Sequence, residues 1–264
     1  LESAGKAAQD GQLLMPRRDS AASGAPGSAK STSKSEDRGK SEDRGKSEDR
    51  GKSERPGPSR RDQLRAARRI VVKIGTGVLT GAAGRFDRVR FDSLCEELYH
   101  ATLDREVVVV SSGAVALGVE RLGLATRPKD IVGKQAAAAV GQSRLMRLYD
   151  DALGKKGVTV AQVLLTHADI QSRTRYLNAR RAIGQLLEHE ALPIINENDT
   201  VSVEELKFGD NDTLAGMAVD LVEAELLIIL TDIDGLYTAD PRKVRSATRI
   251  PEVWGIDPAT LRLA

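Results

Sequence analysis

The sequence has few aromatic residues and a single cysteine. Its 264 residues include three Phe, one Trp, four Tyr and one cysteine, Cys95. One cysteine excludes a disulfide framework within the chain and a zinc site built on cysteines. No apolar run approaches the roughly 18–20 residues that a membrane-spanning helix needs. The chain also opens without a charged-then-apolar signal, so we expect a cytoplasmic protein with no membrane partner.

Residues 1–66 lack the residue types that form a core most readily. This segment has no Ile, Val, Phe, Trp or Tyr, but it has eleven Ser and eight Gly. A six-residue unit, KSEDRG, occurs at 34–39, 40–45 and 46–51, and a degenerate copy follows at 52–57. Such a composition cannot bury enough apolar surface to fold. We therefore expect a disordered low-complexity tail over residues 1–66 and one globular domain over residues 67–264.

Charge divides at the same boundary. Residues 1–66 hold 15 basic and 11 acidic residues, a net charge of +4, whereas the rest of the chain holds 25 basic and 27 acidic residues, a net charge of −2. The folded part is slightly acidic, which argues against a specific nucleic-acid partner. The Gly-Lys-Ser of the repeats resembles the end of a P-loop, but the first Gly of that motif is absent and no strand precedes it. We interpret the repeats as a linker.

From residue 68 onwards, short apolar runs alternate with helical patterns. The runs are rich in β-branched residues and lie at 70–74, 107–110, 158–165, 192–195 and 226–230. Apolar residues at helical spacing extend over 86–103, 132–153, 174–187 and 213–222. This alternation predicts an α/β fold in which helices cover both faces of a parallel-rich sheet. Ligands bind such sheets at the carboxyl ends of the strands, so the polar residues there form the candidate site.

Glycines and serines follow the first two strands. Lys73 precedes Gly75 and Gly77, which suits an anion such as phosphate but also occurs in ordinary tight turns. Residues 111–114 (SSGA) end the second strand ahead of a helical pattern. Their hydroxyl and amide groups suit a carboxylate or phosphate. The structural alternative, a plain Ser N-cap, is compatible with that role.

Acids and amides follow the later strands. Residues 196–199 (NEND) suit a small zwitterion, with an acid for its ammonium group, although Asn and Asp also favour turns. Residues 209–213 (GDNDT) open a helix, where acidic residues also act as caps. Tyr237 suits either a nucleobase or the core, and we expect the core. The three histidines match no ligand spacing, and we predict no metal site made of side chains.

Together these segments resemble the amino acid kinase family, in particular its members that phosphorylate glutamate. The resemblance covers residues 68–258 and is carried, in order, by VVKIGTG (71–77), SSGA (111–114), KQAAAAVGQSR (134–144), NEND (196–199), GDND (209–212), LTD (230–232) and GLYTADP (235–241). Family members that act on carbamate, uridylate or acetylglutamate share a Lys-Gly-Gly opening but lack the paired NEND and GDND segments.

The resemblance implies a three-layer αβα sandwich, ATP and Mg²⁺ as cofactors, L-glutamate as substrate and the first step of proline synthesis. It implies three catalytic residues: Lys73 on the ATP phosphates, with Asp210 and Asp212 organising the catalytic lysines. It places the nucleotide at Lys73, Gly75, Thr76, Gly77, Thr231 and Asp232. It places glutamate at Ser112, Gly113, Asn196, Asp199 and Asn211.

Family members continue past the matched region with a Gly-rich segment that carries a second catalytic lysine. We expect that motif beyond Ala264, and we therefore expect the chain as given to be a poor kinase. Three alternatives stay open: a catalytically inactive regulator that binds glutamate or proline, a scaffold whose charged tail binds a partner, and a kinase for carbamate or uridylate. We also expect a homo-oligomer, with proline as a candidate feedback ligand.

Overall fold

The computed structural model of the protein describes residues 60–81, 84–201, 210–255 and 258–261. The KSEDRG repeats lie outside these residues. Helix α1 (Arg60–Ala66) occupies the last seven residues of the segment predicted to be disordered, so ordered structure begins before the predicted boundary at residue 66. Its sequence, RRDQLRA, consists mainly of helix-favouring residues, with Asp62 in the first turn and Arg65 in the last.

All five predicted strands are present and form one parallel sheet. They are β1 (Arg69–Ile74), β2 (Glu106–Ser111), β3 (Val160–Leu165), β4 (Leu192–Glu197) and β5 (Leu226–Leu230). Their order across the sheet is β3-β4-β2-β1-β5, and every pair of neighbouring strands is parallel. The predicted parallel-rich sheet is therefore confirmed.

The central and outer strands differ in burial. β1, β2 and β4 are buried along almost their whole length, as continuous apolar runs predict. β3 and β5 form the edges of the described sheet and are only partly buried; Ile229 of β5 is 47% exposed. The prediction that all five strands are buried on both faces is wrong for these two. An edge strand has a neighbouring strand on one side only, so its side chains are covered by fewer neighbouring side chains.

The four predicted helices are present, with ends within three residues of the predicted ones. They are α3 (Arg88–Thr102), α5 (Ile131–Leu153), α7 (Arg173–Glu188) and α8 (Asp210–Val222). The residues after the second strand form α4 (Ala114–Arg121). Besides α1, three short helices of the described ranges were not predicted: α2 (Thr76–Leu79), α6 (His167–Gln171) and α9 (Pro258–Leu261). Within the described ranges, no helix combines the length and apolar character required to cross a membrane.

Alternate residues of the central strands divide the core into two layers. On one face of the sheet, Val72 belongs to a cluster with Tyr149 of α5 and residues of α3. On the other face, Val71 belongs to a cluster with Ile183 of α7 and residues of α8. Helices α3 and α5 thus cover one face, and α7 and α8 cover the other. This arrangement is the predicted three-layer αβα sandwich.

Helices α4 and α5 cross at two glycines, with no side chain between their backbones. A Cβ atom at Gly118 of α4 would lie 1.7 Å from the carbonyl oxygen of Ala137. A Cβ atom at Gly141 of α5 would lie 1.7 Å from the carbonyl oxygen of Ala114. Since Ala114 is the first residue of α4, this crossing fixes where α4 begins, directly after β2.

Candidate functional site

The strand register brings the predicted polar residues to one edge of the sheet. Lys73 of β1 is in register with Val110 of β2, and Val110 is in register with Ile195 of β4. Ser111 and Asn196 each lie one residue further along their strands. Because the three strands are adjacent and parallel, the residues that follow them meet at the same edge, as the sequence predicts.

A cavity of about 240 Å³ opens at this edge. Eight of the predicted site residues line it: Lys73, Thr76, Ser112, Gly113, Asn196, Asp199, Asn211 and Asp212. Five further residues line it: Ala114 and Glu197, which belong to the predicted segments SSGA and NEND, and Val115, Ala116 and Arg127, which were not predicted. The wall therefore combines strand ends, the first turns of α2, α4 and α8 and one residue of the loop between α4 and α5.

Lys73 is a buried cation in this wall. The residue is 7% exposed, and its Nζ lies 2.6 Å from Oδ1 of Asp212. Asp212 lies in the first turn of α8, and about half of its side chain is exposed. A buried ammonium group requires a partner, which Asp212 supplies. Asp210, the other acid expected near Lys73, begins α8, and its side chain lies outside the described part of the chain.

Gly75 makes room for the ammonium group of Lys73. A Cβ atom at Gly75 would lie 3.3 Å from Lys73 Nζ and 3.2 Å from the carbonyl oxygen of Leu230. Its amide donates to the Leu230 carbonyl oxygen at 3.0 Å. Because this hydrogen bond joins β1 to β5, the amide of Gly75 is not free to bind a phosphate. The glycine contributes space rather than a donor.

Gly113, rather than a serine, is the N-cap of α4. Its φ of 107° lies in the left-handed region, which favours glycine. Residues 114–116 of the first helical turn line the cavity. First-turn amides have no acceptor within the helix, and the helix dipole is positive at this end. The cavity thus has a helix start on one side and Lys73 on another, an arrangement suited to an anion.

Four polar side chains form a continuous hydrogen-bonded series beside the cavity, here called the amide relay: Gln142, Asn196, Asn211 and Ser112. Asn196 Nδ2 donates to Gln142 Oε1 at 2.7 Å. Asn211 Nδ2 donates to Asn196 Oδ1 at 3.2 Å and to Ser112 Oγ at 2.6 Å. The relay connects β4 to α5, α8 and the end of β2. Because Ser112 joins the relay and Gly113 takes the N-cap position, the alternative of a plain Ser N-cap is wrong.

Gly77, Thr231 and Asp232, which were also predicted, are not among the residues that line the cavity. A Cβ atom at Gly77 would lie 3.4 Å from Cγ of Asp232, so these two residues face each other closely. Thr231 Oγ1 donates to Asp232 Oδ1 at 3.2 Å, and both residues are exposed. Arg242 Nη1 lies 3.6 Å from Asp232 Oδ2. These residues form an open polar surface at the ends of β1 and β5.

Tyr237 lies in the segment after β5 and is only half-buried, so its predicted place in the core is wrong. Its hydroxyl donates to Asp234 Oδ1 at 2.7 Å. This hydrogen bond holds the pKa of Asp234 below its usual value and raises the pKa of Tyr237. Polar pairing with Asp234 accounts for its partial exposure.

Two polar residues of the site were missed for different reasons. Gln142 lies within the motif KQAAAAVGQSR, but its helical context gave no sign of a polar role. Arg127 lies in the loop between α4 and α5, where nothing in the local sequence distinguishes it from a surface arginine. Along the described ranges, no group of three or more His, Cys, Asp or Glu side chains fits a metal ion.

Comparison with known proteins identifies relatives of the whole described domain. The model of the amino acid kinase family matches residues 68–260. A protein named glutamate 5-kinase from Myxococcus xanthus (strain DK1622) is 58% identical over 204 residues, which is 77% of this chain and 54% of that protein. The glutamate 5-kinase of Anaeromyxobacter dehalogenans (strain 2CP-C) is 55% identical over 184 residues, 69% of this chain and 48% of that protein.

A third relative, the glutamate 5-kinase of Citrifermentans bemidjiense, is 52% identical over 198 residues, 75% of this chain and 53% of that protein. The chain thus spans about half the length of the curated relatives that it matches. The family match, the motif order and the αβα architecture agree with one another. The chain belongs to the amino acid kinase family.

Proposed function

We propose that this domain belongs to a kinase that transfers the γ-phosphoryl group of ATP to the side-chain carboxylate of L-glutamate. The product is glutamyl 5-phosphate, and the reaction is the first step of proline biosynthesis. The names of three relatives at 52–58% identity support this assignment. They favour glutamate over carbamate or uridylate.

One structural observation carries the proposal: a buried cation and three members of the neutral amide relay line the same cavity. Lys73 and the first turn of α4 offer positive charge for a phosphate or carboxylate. Asn196, Asn211 and Ser112 offer hydrogen-bonding groups without net charge, and Asp199 adds a carboxylate for an ammonium group. Such a wall fits a substrate that has both an ammonium group and carboxylates.

The proposed chemistry explains why no histidine or cysteine is among the described residues that line the cavity. The side-chain carboxylate of glutamate has a reference pKa of about 4.3, so it is already ionised at neutral pH and needs no general base. Phosphoryl transfer then depends on alignment of the reacting groups and on neutralisation of the negative charge in the transition state. Fixed groups on β1 and α4 supply both.

The residues of this chain have distinct roles in the proposed reaction. Lys73 neutralises phosphate charge, and Asp212 holds its ammonium group in place. Thr231 and Asp232, on the open surface beside Gly77, contact the nucleotide. Mg²⁺-ATP supplies the phosphoryl group and further positive charge when it is bound. The metal would be held mainly by phosphate oxygens and water, in keeping with the donors that Mg²⁺ prefers.

Arg127 supplies a second cation to the cavity wall. It is exposed, and it follows α4 in a loop rather than in a helix or strand. A guanidinium group binds a carboxylate through two parallel hydrogen bonds. We assign Arg127 to the α-carboxylate of glutamate, while Lys73 faces the groups that react.

The experiment that tests the proposal is trapping of the acyl phosphate with hydroxylamine, in the presence of Mg²⁺-ATP and glutamate, in a parent chain extended through the Gly-rich segment that carries the family's second lysine. Formation of the hydroxamate in the parent and its loss in Lys73→Met would support a glutamate kinase. Glutamate binding by calorimetry without any hydroxamate would instead indicate an inactive regulator. Release of ADP with carbamate or uridylate, but not with glutamate, would overturn the substrate.

The proposal extends to a cytoplasmic homo-oligomer that is inhibited by proline. Proline shares the α-carboxylate and a charged nitrogen with glutamate, so the same cavity suits both. Light scattering of the purified chain would give its oligomeric state. Calorimetric titration of glutamate in the presence of proline would show a lower apparent affinity if the two compete.

A further inference from the structure

The amide relay has a direction, because every amide in it has one donating end and one accepting end. In the observed direction, Asn196 donates to Gln142 and accepts from Asn211. If Asn196 alone turned over, its oxygen would face Gln142 Oε1 and its nitrogen would face Asn211 Nδ2. Both contacts would be repulsive. The three amides therefore keep one common direction.

That direction decides which side-chain atom of Asn211 has no hydrogen-bond partner within the relay. In the part of the chain that the structure describes, Asn211 Oδ1 and Gln142 Nε2 are buried and have no hydrogen-bond partner. If the relay ran the other way, Asn211 would have an unused donor instead of an unused acceptor. The Ser112 hydroxyl donates or accepts equally well, so it tolerates either direction. Since Ser112 does not fix the direction, it must be fixed at the other end of the relay, at Gln142.

We propose that Gln142 is a positioning residue for the amino-acid ligand. Its Oε1 anchors Asn196, which aligns Asn211 so that Oδ1 remains available to accept a hydrogen bond from the ammonium group of the ligand. Gln142 lies on α5 and is not among the residues that line the cavity, so it acts through Asn196 and Asn211. The ligand in this inference is the substrate of the proposed function, on which it rests.

Two substitutions separate positioning from packing. Gln142→Met keeps the length of the side chain but removes its strong acceptor. Gln142→Glu keeps an acceptor and removes the donor. If Gln142 only fills space, the methionine variant is tolerated and the glutamate variant, which places a carboxyl group in a half-buried position, is the more damaging. If Gln142 positions Asn196, Gln142→Met is the more damaging variant and Gln142→Glu is tolerated.

The first measurement uses the chain without ligand. The side-chain NH₂ signals of Asn196 and Asn211 are followed by NMR in protein labelled with ¹⁵N-asparagine, and they are assigned with Asn196→Asp and Asn211→Asp. We expect hydrogen exchange of the Asn196 amide to be about two- to tenfold faster in Gln142→Met, since a typical hydrogen bond is worth about 0.5–1.5 kcal/mol. The parent and Gln142→Glu should exchange at similar rates.

The second measurement compares L-glutamate with glutarate, which lacks the ammonium group, by calorimetry. The parent and Gln142→Glu should prefer glutamate. In Gln142→Met this preference should fall by about two- to tenfold, the effect expected from the loss of one hydrogen bond. The proposal is overturned if Gln142→Met keeps both the slow exchange and the preference, or if Gln142→Glu loses more preference than Gln142→Met. If the exchange rates follow the expected order but the parent does not bind glutamate, the relay stands and the proposed substrate is wrong.

Discussion

Replacement of Gly141 by alanine tests the crossing of α4 and α5. The new Cβ atom would lie 1.7 Å from the carbonyl oxygen of Ala114, whereas ordinary contacts begin at 3.4 Å. The obstacle is backbone, so no side-chain rotation relieves it, and the helices must separate by about 1.5 Å in a tightly packed interior. Overpacking of this kind costs about 1–3 kcal/mol and occasionally more. We expect a loss of at least about 3 kcal/mol, because two backbones must move.

Gly184→Ala is the matched control. Gly184 lies within α7, and nothing comes within 4 Å of a Cβ atom built on it. Alanine there should stabilise the protein by about 0.5–1 kcal/mol, since glycine weakens a helix interior. Urea denaturation followed by circular dichroism measures both changes. In a domain of this size, each kcal/mol corresponds to about 2–4 °C in melting temperature.

The Gly141→Ala variant should also bind glutamate more weakly, because Ala114 begins the helical turn that lines the cavity. If Gly141→Ala is as stable as the parent, α4 and α5 do not meet backbone to backbone as described. If it is unstable but binds glutamate normally, the start of α4 does not depend on the crossing. Gly184→Ala should leave glutamate affinity unchanged in either case.

Four single-site predictions concern the cavity and the core. Lys73→Met should lower turnover by about 10²–10³, as expected for loss of a group that stabilises transition-state charge. Glutamate affinity should be nearly unchanged, and equal turnover of variant and parent in hydroxamate assays would contradict the role of Lys73. Asp199→Asn should weaken glutamate binding by at least about 2 kcal/mol, and an unchanged calorimetric affinity would exclude a charge pair there. Arg127→Met should weaken binding of glutamate but not of its α-amide, and an equal effect on both ligands would rule out contact with the α-carboxylate. Burial, reinforced by Asp92, raises the pKa of Cys95 from 9.0 to about 12, so the thiol of the folded chain should resist iodoacetamide at about pH 8. Because the unfolded thiol ionises first, stability should fall as pH rises from about 9 to 12, and a flat profile of unfolding free energy over that range would refute this.

The sequence was a reliable guide wherever a local pattern determines the structure. Runs such as residues 107–110 are strands because β-branched side chains suit a pleated, buried surface, and their continuity marks a parallel sheet. The polar segments after the strands were also predictable, since parallel strands bring their carboxyl ends together. Burial of the edges was not predictable, because the same apolar run as that of β5 occurs in central strands.

Features that depend on distant parts of the chain could not be predicted in this way. In the sequence, Gly118 and Gly141 are ordinary helix-destabilising residues. Only the crossing of α4 and α5 shows that the close approach of the two backbones requires glycine at both positions. The use of the Gly75 amide by Leu230 depends on the pairing of β1 with β5. The role of Gln142 depends on contact between α5 and β4, and that of Arg127 on the path of a loop.

The amide relay also bears on how the site responds to acidity. Asparagine, glutamine and serine side chains do not ionise between pH 5 and 9, so their pattern of donors and acceptors is the same throughout that range. The relay therefore holds its direction in acid and in mild alkali alike. Any change in ligand affinity with pH must come from the charged groups around the relay and from the ligand itself. A carboxyl group introduced at position 142 can gain or lose a proton, so it would make the direction of the relay depend on pH.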